Sequence, residues 1–269
     1  RYTGTKLKPH MKISELVKPP FQNDGDTPLL IKKTKTFHPS KERRKRWEEL
    51  NDILIQAKID AAEKSGKKNL KESLAHLSVN WSLISPIYDQ IIHVYSQTVK
   101  EVPQETVNLL HNYLVILTKR FSSITIGNES HRLHFIAPIL VYVSNLFGPE
   151  DYIQIVVEED LNGINVKANA HFEFMLKCNN KRLCIVEAKK DDMEQGMVQD
   201  LIGMEVASDL NRLDTVYGIV TNYVEWMFLK SQNDKIEWDV DTLNFENEVI
   251  TVASLKRIAG KIYALLSED

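Results

Sequence analysis

The sequence predicts an α/β protein in which helices flank a mixed β-sheet, with an added N-terminal helical region. Apolar residues recur at helical spacing through much of the N-terminal half, and beyond Gly148 short apolar runs alternate with further helical segments. With 43% hydrophobic and 26% charged residues, the chain of 269 residues has the composition of a globular protein. We divide it into an irregular basic segment at 1–39, a helical region at 40–123 and an α/β domain at 124–269.

The N-terminal segment is predicted to lack regular structure because prolines and a glycine interrupt it, at positions 9, 19, 20, 25, 28 and 39. The first 50 residues contain 13 Lys or Arg and 6 Asp or Glu, although the whole chain has a net charge of −3. The acidic remainder has little attraction for phosphates. Any affinity for nucleic acid would therefore depend on this segment or on local basic patches.

A helix is predicted to begin after Ser40, which can cap it. Its first turns carry a basic run, Arg43, Arg44, Lys45 and Arg46, that could contact nucleic-acid phosphates or serve as a nuclear-import signal. A solvated helix face is at least as good an interpretation of this run. Basic residues in a first turn oppose the helix dipole, which slightly favours a role outside local helix stability.

Four more helices are expected before the sheet. The spacing of apolar residues places them at 70–77, 86–102, 103–121 and from Glu129 onwards. Pro86 and Pro103 each suit the first position of a helix, and Asn128 can cap the helix at Glu129. The apolar stripes of these helices indicate core packing, so we expect them to pack against the α/β domain.

The α/β domain is predicted to begin with a strand at 152–157 and a longer strand at 166–176. In the longer strand, one buried face should hold Ala170, Phe172, Phe174 and Leu176, and a mainly polar face should hold Asn169, His171, Glu173 and Met175. A polar connection at 177–182 suits a hairpin turn. The remaining elements are expected as a helix at 191–214, strands at 215–221 and 226–229, an edge strand at 248–252 and a final helix that Ser254 can cap.

The most informative stretch follows the hairpin, where the apolar run Leu183–Val186 ends in Glu187-Ala188-Lys189. Side chains alternate along a strand, so Glu187 and Lys189 should share one face. The pair can be a structural ion pair at a strand end, or a metal ligand beside a cation that binds phosphate or activates water. An antiparallel hairpin can bring His171 or Glu173 near this pair, although the sequence does not fix the register.

Further motifs surround this pair in a definite order. They are Gly127-Asn128-Glu129 at a helix start, the strand before the hairpin, Val186-Glu187-Ala188-Lys189-Lys190, Gly196-Met197-Val198-Gln199, Val216-Tyr217-Gly218-Ile219-Val220-Thr221-Asn222 and Trp226. By their order and spacing, residues 126–266 resemble the PD-(D/E)XK nuclease superfamily. They look most like the divergent nuclease-type domains of secreted or transposon-associated proteins of fungi and oomycetes, including crinkler effectors.

The resemblance implies a metal-dependent nuclease with a restriction-endonuclease-like core. In that family a helix Glu, a strand Asp and the Glu-x-Lys pair surround one or two divalent ions, here Mg²⁺ or Mn²⁺. Matched position by position, Glu129 is the helix carboxylate, Glu187 a metal ligand and Lys189 the lysine. Gln199 matches a glutamine that often faces the site, and with Lys190 it would help to position the nucleic acid.

This chain departs from the family pattern at the strand Asp, which falls on His171. Mg²⁺ prefers oxygen ligands, whereas a neutral imidazole suits Mn²⁺ better. Three outcomes are open: His171 binds Mn²⁺, Glu173 on the same strand face supplies the second carboxylate, or the site binds metal poorly and the domain keeps only its shape. Taken singly, Glu129, His171 and Gln199 also suit ordinary roles as a first-turn acid, a strand histidine and a solvated helix residue.

Two functions therefore stay open. The first is a divalent-metal-dependent phosphodiesterase that cleaves DNA, with RNA as a substrate that the sequence does not separate from it. The second is a catalytically inactive effector that binds DNA or a host nuclear protein, acting in a host nucleus after secretion. The chain has no nucleophile motif and no phosphate-binding Gly-rich loop, which argues against triad hydrolases, kinases and dehydrogenases.

Neither a membrane span nor a disulfide is expected. The longest apolar run, 135–147, contains Pro138 and is too short to span a bilayer. Cys178 and Cys184 lie in or beside the hairpin and match no disulfide or zinc pattern, which favours a reducing compartment. No secretory signal is visible, and the start at Arg1 rather than Met suggests a trimmed or processed fragment.

Overall fold

The computed structural model describes residues 37–65, 79–121, 127–178, 182–232 and 234–267. These residues belong to one compact unit, 37–269. Almost all of the predicted basic segment at 1–39, the helix expected at 70–77 and the turn at Asn179-Asn180 lie outside the described residues. Both strands that flank that turn are described, so the register of the hairpin is known.

The described residues form six α-helices and nine β-strands. The helices are α1 (Lys41–Ser65), α2 (Trp81–Tyr88), α3 (Gln104–Arg120), α4 (Glu129–Ser144), α5 (Met193–Asn211) and α6 (Val252–Ser267). The strands are β1 (Ile92–Val94), β2 (Ile153–Asn162), β3 (Asn169–Cys178), β4 (Arg182–Ala188), β5 (Thr215–Thr221), β6 (Glu225–Gln232), β7 (Lys235–Thr242), β8 (Phe245–Glu246) and β9 (Val249–Ile250). None of the described helices combines the length and the apolar character that crossing a bilayer requires.

Seven of the strands form one mixed sheet in the order β1-β7-β6-β5-β4-β3-β2. β4 pairs parallel with β5 and β1 pairs parallel with β7, whereas the other neighbours in this sheet are antiparallel. The short strands β8 and β9 form a separate hairpin. The predicted fold class, a mixed sheet flanked by helices with an added N-terminal helical region, is therefore confirmed.

Helices cover both faces of the sheet. On one face, α3, α4 and α6 share a core with strand residues such as Val186 and Ile219. On the other face, α1, α2 and α5 share a core with Ile185 and Val220. Neighbouring residues of β4 and β5 thus point into opposite cores, as expected for strands that are buried on both faces. Residues 40–123 contribute helices to both layers.

Two predicted helix starts are confirmed at the level of single hydrogen bonds. The backbone N–H of Arg43 donates to Ser40 Oγ at 2.9 Å, which caps α1. The backbone N–H of His131 donates to Asn128 Oδ1 at 2.9 Å, which caps α4 and fixes its first residue as Glu129. A polar cap followed by an apolar stripe is a local signal, so it could be identified without knowledge of the tertiary structure.

The helix expected at 86–102 is wrong. Asn80 caps α2, Pro86 lies inside it, and α2 ends at Tyr88. The chain then runs beside β7, where Ile236 N donates to the carbonyl of Ile91 at 2.8 Å, and residues 92–94 become β1. Pairing with a distant strand overrides the helical periodicity of this stretch because backbone groups at a sheet edge find partners there.

Two expectations near the C-terminal end of the chain are also corrected. The edge strand expected at 248–252 is reduced to β9, which pairs with β8 outside the main sheet. The final helix begins at Val252, and Ser254 N donates to Thr251 Oγ1 at 3.4 Å, so that Thr251 provides the cap expected of Ser254. The main sheet instead gains β7, which the sequence did not indicate.

The shared buried face expected for Ala170, Phe172, Phe174 and Leu176 is wrong as well. Phe172 packs against Gly203 of α5, whereas Phe174 packs in the core with α4 on the opposite face. The pairing of β2 with β3 runs on both sides of Glu158 but skips it, and Glu158 has a φ of 52°. The register is the same on both sides of Glu158, so no residue is inserted, and the facing of the β3 side chains changes at Glu173, the residue opposite Glu158. Glu173 lines a cavity together with Glu187.

Candidate functional site

A cavity of about 300 Å³ is lined by β3, β4 and the helices α1, α4 and α5. Its polar side chains are Glu129, Asn169, His171, Glu173, Glu187, Lys189 and Gln199. Its apolar side chains are Leu54, Val79, Ala168, Ala170, Phe172 and Ile202. All the candidate catalytic and metal-binding residues derived from the sequence therefore line one cavity, together with Gln199.

Glu187 and Lys189 form a close ion pair at the floor of this cavity. Lys189 Nζ lies 2.6 Å from Glu187 Oε1 and 3.5 Å from Glu129 Oε1. The side chains of Glu187 and Lys189 are 5% and 13% exposed. The backbone N–H of Lys189 donates to the carbonyl of Thr221 on β5 at 2.9 Å, which holds the residue in place just beyond the end of β4. The expectation that Glu187 and Lys189 share one face is confirmed.

Glu173 is the strand carboxylate nearest to this pair. Its Oε2 accepts a hydrogen bond from the backbone N–H of Ala188 at 3.1 Å. The backbone pairing of β3 with β4 ends at Phe174 and Val186. Beyond that point, the side chain of Glu173 accepts the hydrogen bond from the backbone of β4. Its carboxylate raises the pKa of Glu187, as described below.

His171 lies at the rim of the cavity. Its Nδ1 is 2.8 Å from Asp160 Oδ1 on the paired strand β2. The two side chains are 47% and 77% exposed. His171 is thus a partly exposed residue that already contacts a carboxylate outside the cavity.

The electrostatics of the site are dominated by an excess of carboxylates. Burial, and then the neighbouring Glu173, raises the pKa of Glu187 to about 8. Burial opposes the charge of Lys189, but Glu187, Glu129 and Glu173 outweigh it, and the pKa of Lys189 is raised. One ammonium therefore balances several acids, and the cavity has capacity for further positive charge.

Asp200 on α5 is a buried acid near the site that the sequence analysis missed. It is fully buried, and neither of its carboxyl oxygens has a hydrogen-bond partner among the described residues. Burial, and then Glu187 and Glu173, raises the pKa of Asp200. An acid four residues from both Gly196 and Met204, on the buried stripe of a helix, is the sequence signal that could have identified it.

Arg132 is a second residue that the sequence analysis missed. It is 5% exposed, and its Nη1 donates to the carbonyl of Asn222 at 2.8 Å while its Nη2 lies 3.6 Å from Asp191 Oδ1. These contacts tie α4 to the turn after β5 and to the segment that precedes α5. Arg132 thereby sets the position of Glu129, which lies one turn earlier on α4.

The two positioning residues named by the resemblance lie in different surroundings. Gln199 lines the cavity, and its Oε1 is buried without a hydrogen-bond partner among the described residues. Lys190 has a half-exposed side chain that lies 3.8 Å from Asp191 Oδ2, and it is not among the residues that line the cavity. Gln199 is therefore the better placed of the two to contact a bound molecule.

The basic run at the start of α1 does not form one exposed patch. Arg43 and Arg46 are 2% and 5% exposed. Arg46 Nε lies 2.7 Å from Glu205 Oε1, and Arg43 donates to Ser208 Oγ at 3.1 Å. The expectation that the run contacts nucleic acid is wrong for these two residues, because α1 packs on α5 and directs them inward.

Arg44 and Lys45 are the exposed members of the basic run. Lys45 pairs with Glu49 one turn later at 3.3 Å. A role for these two residues in contacting phosphates stays a prediction.

The donor groups of the cavity can be compared with those of a divalent-ion site. Among the described residues, no group of three or more His, Cys, Asp or Glu side chains is placed to hold a metal ion. Glu187 and Glu173 supply the oxygen donors that Mg²⁺ prefers, and Glu187 Oε2 is buried without a hydrogen-bond partner among the described residues. Mg²⁺ often binds through one or two carboxylates and completes its shell with water and substrate phosphate. An ion held by these two carboxylates would depend on water and phosphate for its other ligands.

Comparison with known proteins identifies a relative of this chain. No family model matches the chain. The chain is 39% identical over 244 residues to Crinkler effector protein 5 of Phytophthora infestans, and the alignment covers 89% of this chain and 66% of that protein. The chain thus spans just under two thirds of its relative's length. The aligned part of the chain is therefore crinkler-like and related to an oomycete effector, as one of the resemblances drawn from the sequence expected.

Proposed function

We propose that this chain is a divalent-metal-dependent phosphodiesterase that acts on nucleic acid, with DNA as the substrate to test first. The observation that supports this most is the position of Lys189, 2.6 Å from Glu187 and 3.5 Å from Glu129, with Glu173 beside them in one cavity. Hydrolysis of a phosphodiester needs positive charge at the phosphate and an activated water, and such a cluster can provide both. The similarity to an effector protein does not by itself specify this substrate or this reaction, and both are part of the proposal.

The proposal assigns a role to each member of the cluster. The Lys189 ammonium donates to a non-bridging phosphate oxygen and offsets the charge that develops there. Glu129 and the backbone bond to Thr221 keep this ammonium in position. Glu187 and Glu173 would hold a divalent ion, Mg²⁺ or Mn²⁺, which supplies further positive charge and lowers the pKa of bound water. Gln199, whose Oε1 has no hydrogen-bond partner among the described residues, accepts a hydrogen bond from the attacking water and so orients it.

The charge balance of the cavity supports the need for an ion. Glu129, Glu173 and Glu187 surround a single lysine, and a phosphate entering this group would meet a net negative field. His171 would join the ligands only by giving up its contact with Asp160, which makes it an optional donor that Mn²⁺ accepts more readily than Mg²⁺.

The first test is cleavage of linear and supercoiled DNA with Mg²⁺, Mn²⁺ or EDTA. The native chain should cleave only with metal, and Glu187→Gln should lower the rate by roughly 100-fold or more, a loss typical for a residue that acts on the transition state. Glu105→Gln, which changes an exposed acid on α3, is the matched control and should keep full activity. Activity with Mn²⁺ but not with Mg²⁺ would point to His171 as a ligand.

A second candidate function is a binding module with an inactive nuclease-like site. It is favoured by the fact that Lys189 already neutralises Glu187, and by the solvated histidine at the family's aspartate position. In this case the chain would engage DNA or a host nuclear protein, in a host nucleus after secretion, without cleaving anything. Folded native chain that leaves both DNA and RNA intact with every metal, yet binds labelled DNA in EDTA with an affinity that falls as salt rises, would establish this function in place of the first.

A further inference from the structure

A second cavity of about 300 Å³ adjoins the candidate site. Leu54, Ala168 and Asn169 line both cavities, so the two lie side by side, and we refer to them together as the groove. Among the described residues, the charged side chains that line the second cavity are Lys58 and Lys167. The groove therefore has a carboxylate-rich inner end around Glu187 and an outer end at which the described charges are lysines.

Lys58 is placed at this outer end by helical spacing. It follows Leu54 by four residues on α1, so both side chains lie on the same side of the helix. Leu54 is 5% exposed and packs between the two cavities, whereas Lys58 is only half-buried. The apolar part of α1 thus anchors the helix and leaves the ammonium of Lys58 facing the groove.

Lys167 is placed by a loop that is held at several points. The carboxylate of Asp209 on α5 accepts hydrogen bonds from the backbone N–H groups of Ile164, at 2.7 Å, and Val166, at 3.1 Å. The backbone N–H of Lys167 itself donates to Asn51 Oδ1 on α1 at 2.7 Å. The ammonium of Lys167 donates to the carbonyl of Ile164 in the same loop at 2.8 Å, and it would exchange this hydrogen bond for one to a phosphate. The loop backbone, fixed from two helices, loses little conformational entropy in that exchange.

The apolar lining between the two ends suits a nucleobase. Ala168 just before β3, Ala170 on β3 and Ile202 on α5 form this lining with Leu54. Proteins that bind single strands combine a basic groove for the backbone with apolar or aromatic surface for the bases. A phosphate at the outer end and another at the inner end would leave the base between them against this surface.

The burial of Glu187 favours a flexible strand over a duplex. Its side chain is 5% exposed, and Leu54 and Val79 line the same cavity. A base-paired backbone is stiff, so it reaches a buried carboxylate less readily than a single strand does. A single strand has the flexibility to enter the groove.

We propose that Lys58 and Lys167 form a phosphate subsite for a single-stranded nucleic acid that lies along the groove towards Glu187. The assignment rests on the proposed function, because the inner end of the groove is the candidate catalytic site. The two lysines supply the attraction for a polyanion that the inner carboxylates lack. The two lysines bind the strand and fix its register in the groove. Lys189 contacts the phosphate that reacts.

Binding of labelled oligothymidylate in EDTA, followed by fluorescence anisotropy, tests the subsite without cleavage. The double variant Lys58→Ala/Lys167→Ala should bind roughly 10-fold more weakly at moderate salt, and the slope of log affinity against log salt should fall by about 0.7 for each phosphate contact that is lost. Lys58→Arg/Lys167→Arg keeps both charges and should retain most of the affinity. A duplex of the same length should bind more weakly and should not respond to these substitutions.

The matched control is Lys119→Ala/Lys235→Ala, which removes two exposed lysines, one from α3 and one from β7 at the far side of the sheet. An equal loss of affinity in the control and in Lys58→Ala/Lys167→Ala would overturn the subsite, and so would unchanged binding by Lys58→Ala/Lys167→Ala. Thermal unfolding of each variant shows whether a loss of affinity comes from a loss of fold.

Failure of the subsite and failure of the proposed function give different results. Cleavage that Glu187→Gln abolishes, with binding that ignores Lys58 and Lys167, would keep the phosphodiesterase and overturn the subsite. Binding that depends on Lys58 and Lys167, with no cleavage under any metal, would keep the subsite and overturn the phosphodiesterase. In EDTA and above the pKa of Glu187, about 8, the Glu187→Gln variant should bind the strand at least as tightly as the native chain, because it removes a negative charge from the groove.

Discussion

Gly218 on β5 leaves open the space that the carboxyl group of Asp200 on α5 occupies. A Cβ built on Gly218 would collide with this carboxyl group and would come within 3.0 Å of Met204 Sδ. Helix α5 can therefore approach the sheet closely only because the strand has no side chain at this point. Since Asp200 is fully buried, it has no solvent-filled space into which to retreat.

Gly218→Ala should lower the free energy of unfolding by roughly 1–3 kcal/mol, because the added methyl group overpacks the contact between α5 and β5. Urea denaturation measures this change. Gly148→Ala is the control, since no atom lies within 4 Å of a Cβ at that position, and it should change stability by less than about 0.5 kcal/mol. The cost of Gly218→Ala should fall in an Asp200→Ala background, and an equal cost in both backgrounds would contradict the collision.

The pair of Glu187 and Lys189 should show a large coupling energy. A double-mutant cycle with Glu187→Gln and Lys189→Met should give roughly 1–3 kcal/mol, because both groups are buried and lie 2.6 Å apart. The exposed pair of Lys45 and Glu49 is the control and should couple by less than about 1 kcal/mol. Chemical denaturation of the four proteins in each cycle measures both values, and equal coupling in the two cycles would show that burial adds nothing to the Glu187–Lys189 pair.

Arg46 should prove to be a structural residue. Arg46→Ala should lower the free energy of unfolding by about 3–5 kcal/mol, since it leaves the buried carboxylate of Glu205 with Trp47 as its remaining hydrogen-bond donor. Arg44→Ala, two residues earlier and exposed, should change it by less than about 0.5 kcal/mol. Thermal unfolding of the two variants under one condition checks this. Similar effects of the two substitutions would restore the exposed basic patch expected from the sequence.

Asp241 should make the chain sensitive to acid. Partial burial disfavours its charge, but Arg257 and Lys261 hold the pKa of Asp241 lower, at about 2. The unfolded chain therefore binds the proton more tightly, so the stabilisation is present above about pH 4 and is lost as the pH falls towards about 2.

Asp241→Asn should accordingly destabilise the protein by roughly 1–2 kcal/mol at pH 7, after allowance for solvent screening, and by less at pH 2. Urea denaturation at several pH values measures the difference. Asp52→Asn removes an exposed carboxylate on α1 and should leave the acid slope of stability unchanged. An unchanged slope in Asp241→Asn would show that other acids carry the sensitivity.

The sequence predicted the fold well where a structural feature depends only on residues that are close together in the chain. Ser40 and Asn128 cap the helices that follow them, and the period of two along β4 puts Glu187 and Lys189 together. Such signals are contained in a few consecutive residues.

The predictions that were wrong share a different cause. In each case the structure depends on contacts with residues that are distant in the sequence. The sequence indicated that Arg43 and Arg46 could belong to a surface patch, because their partners on α5 are far away in sequence. Phe172 and Phe174 enter opposite cores because the alternation of β3 changes at Glu173, and no local sequence pattern indicates that change. In the candidate site, the side chains were identified, but the choice of Glu173 over His171 as the neighbour of Glu187 follows from strand register.

The short strand β1 affects which backbone groups the main sheet exposes at this edge. Its three residues lie along β7, pairing Ile92 with Ile236 and Val94 with Trp238, and so occupy part of the edge that β7 would otherwise present. A bare sheet edge is a template for pairing with another molecule. Loss of β1 would uncover that part of β7 and favour its pairing with a strand of another chain.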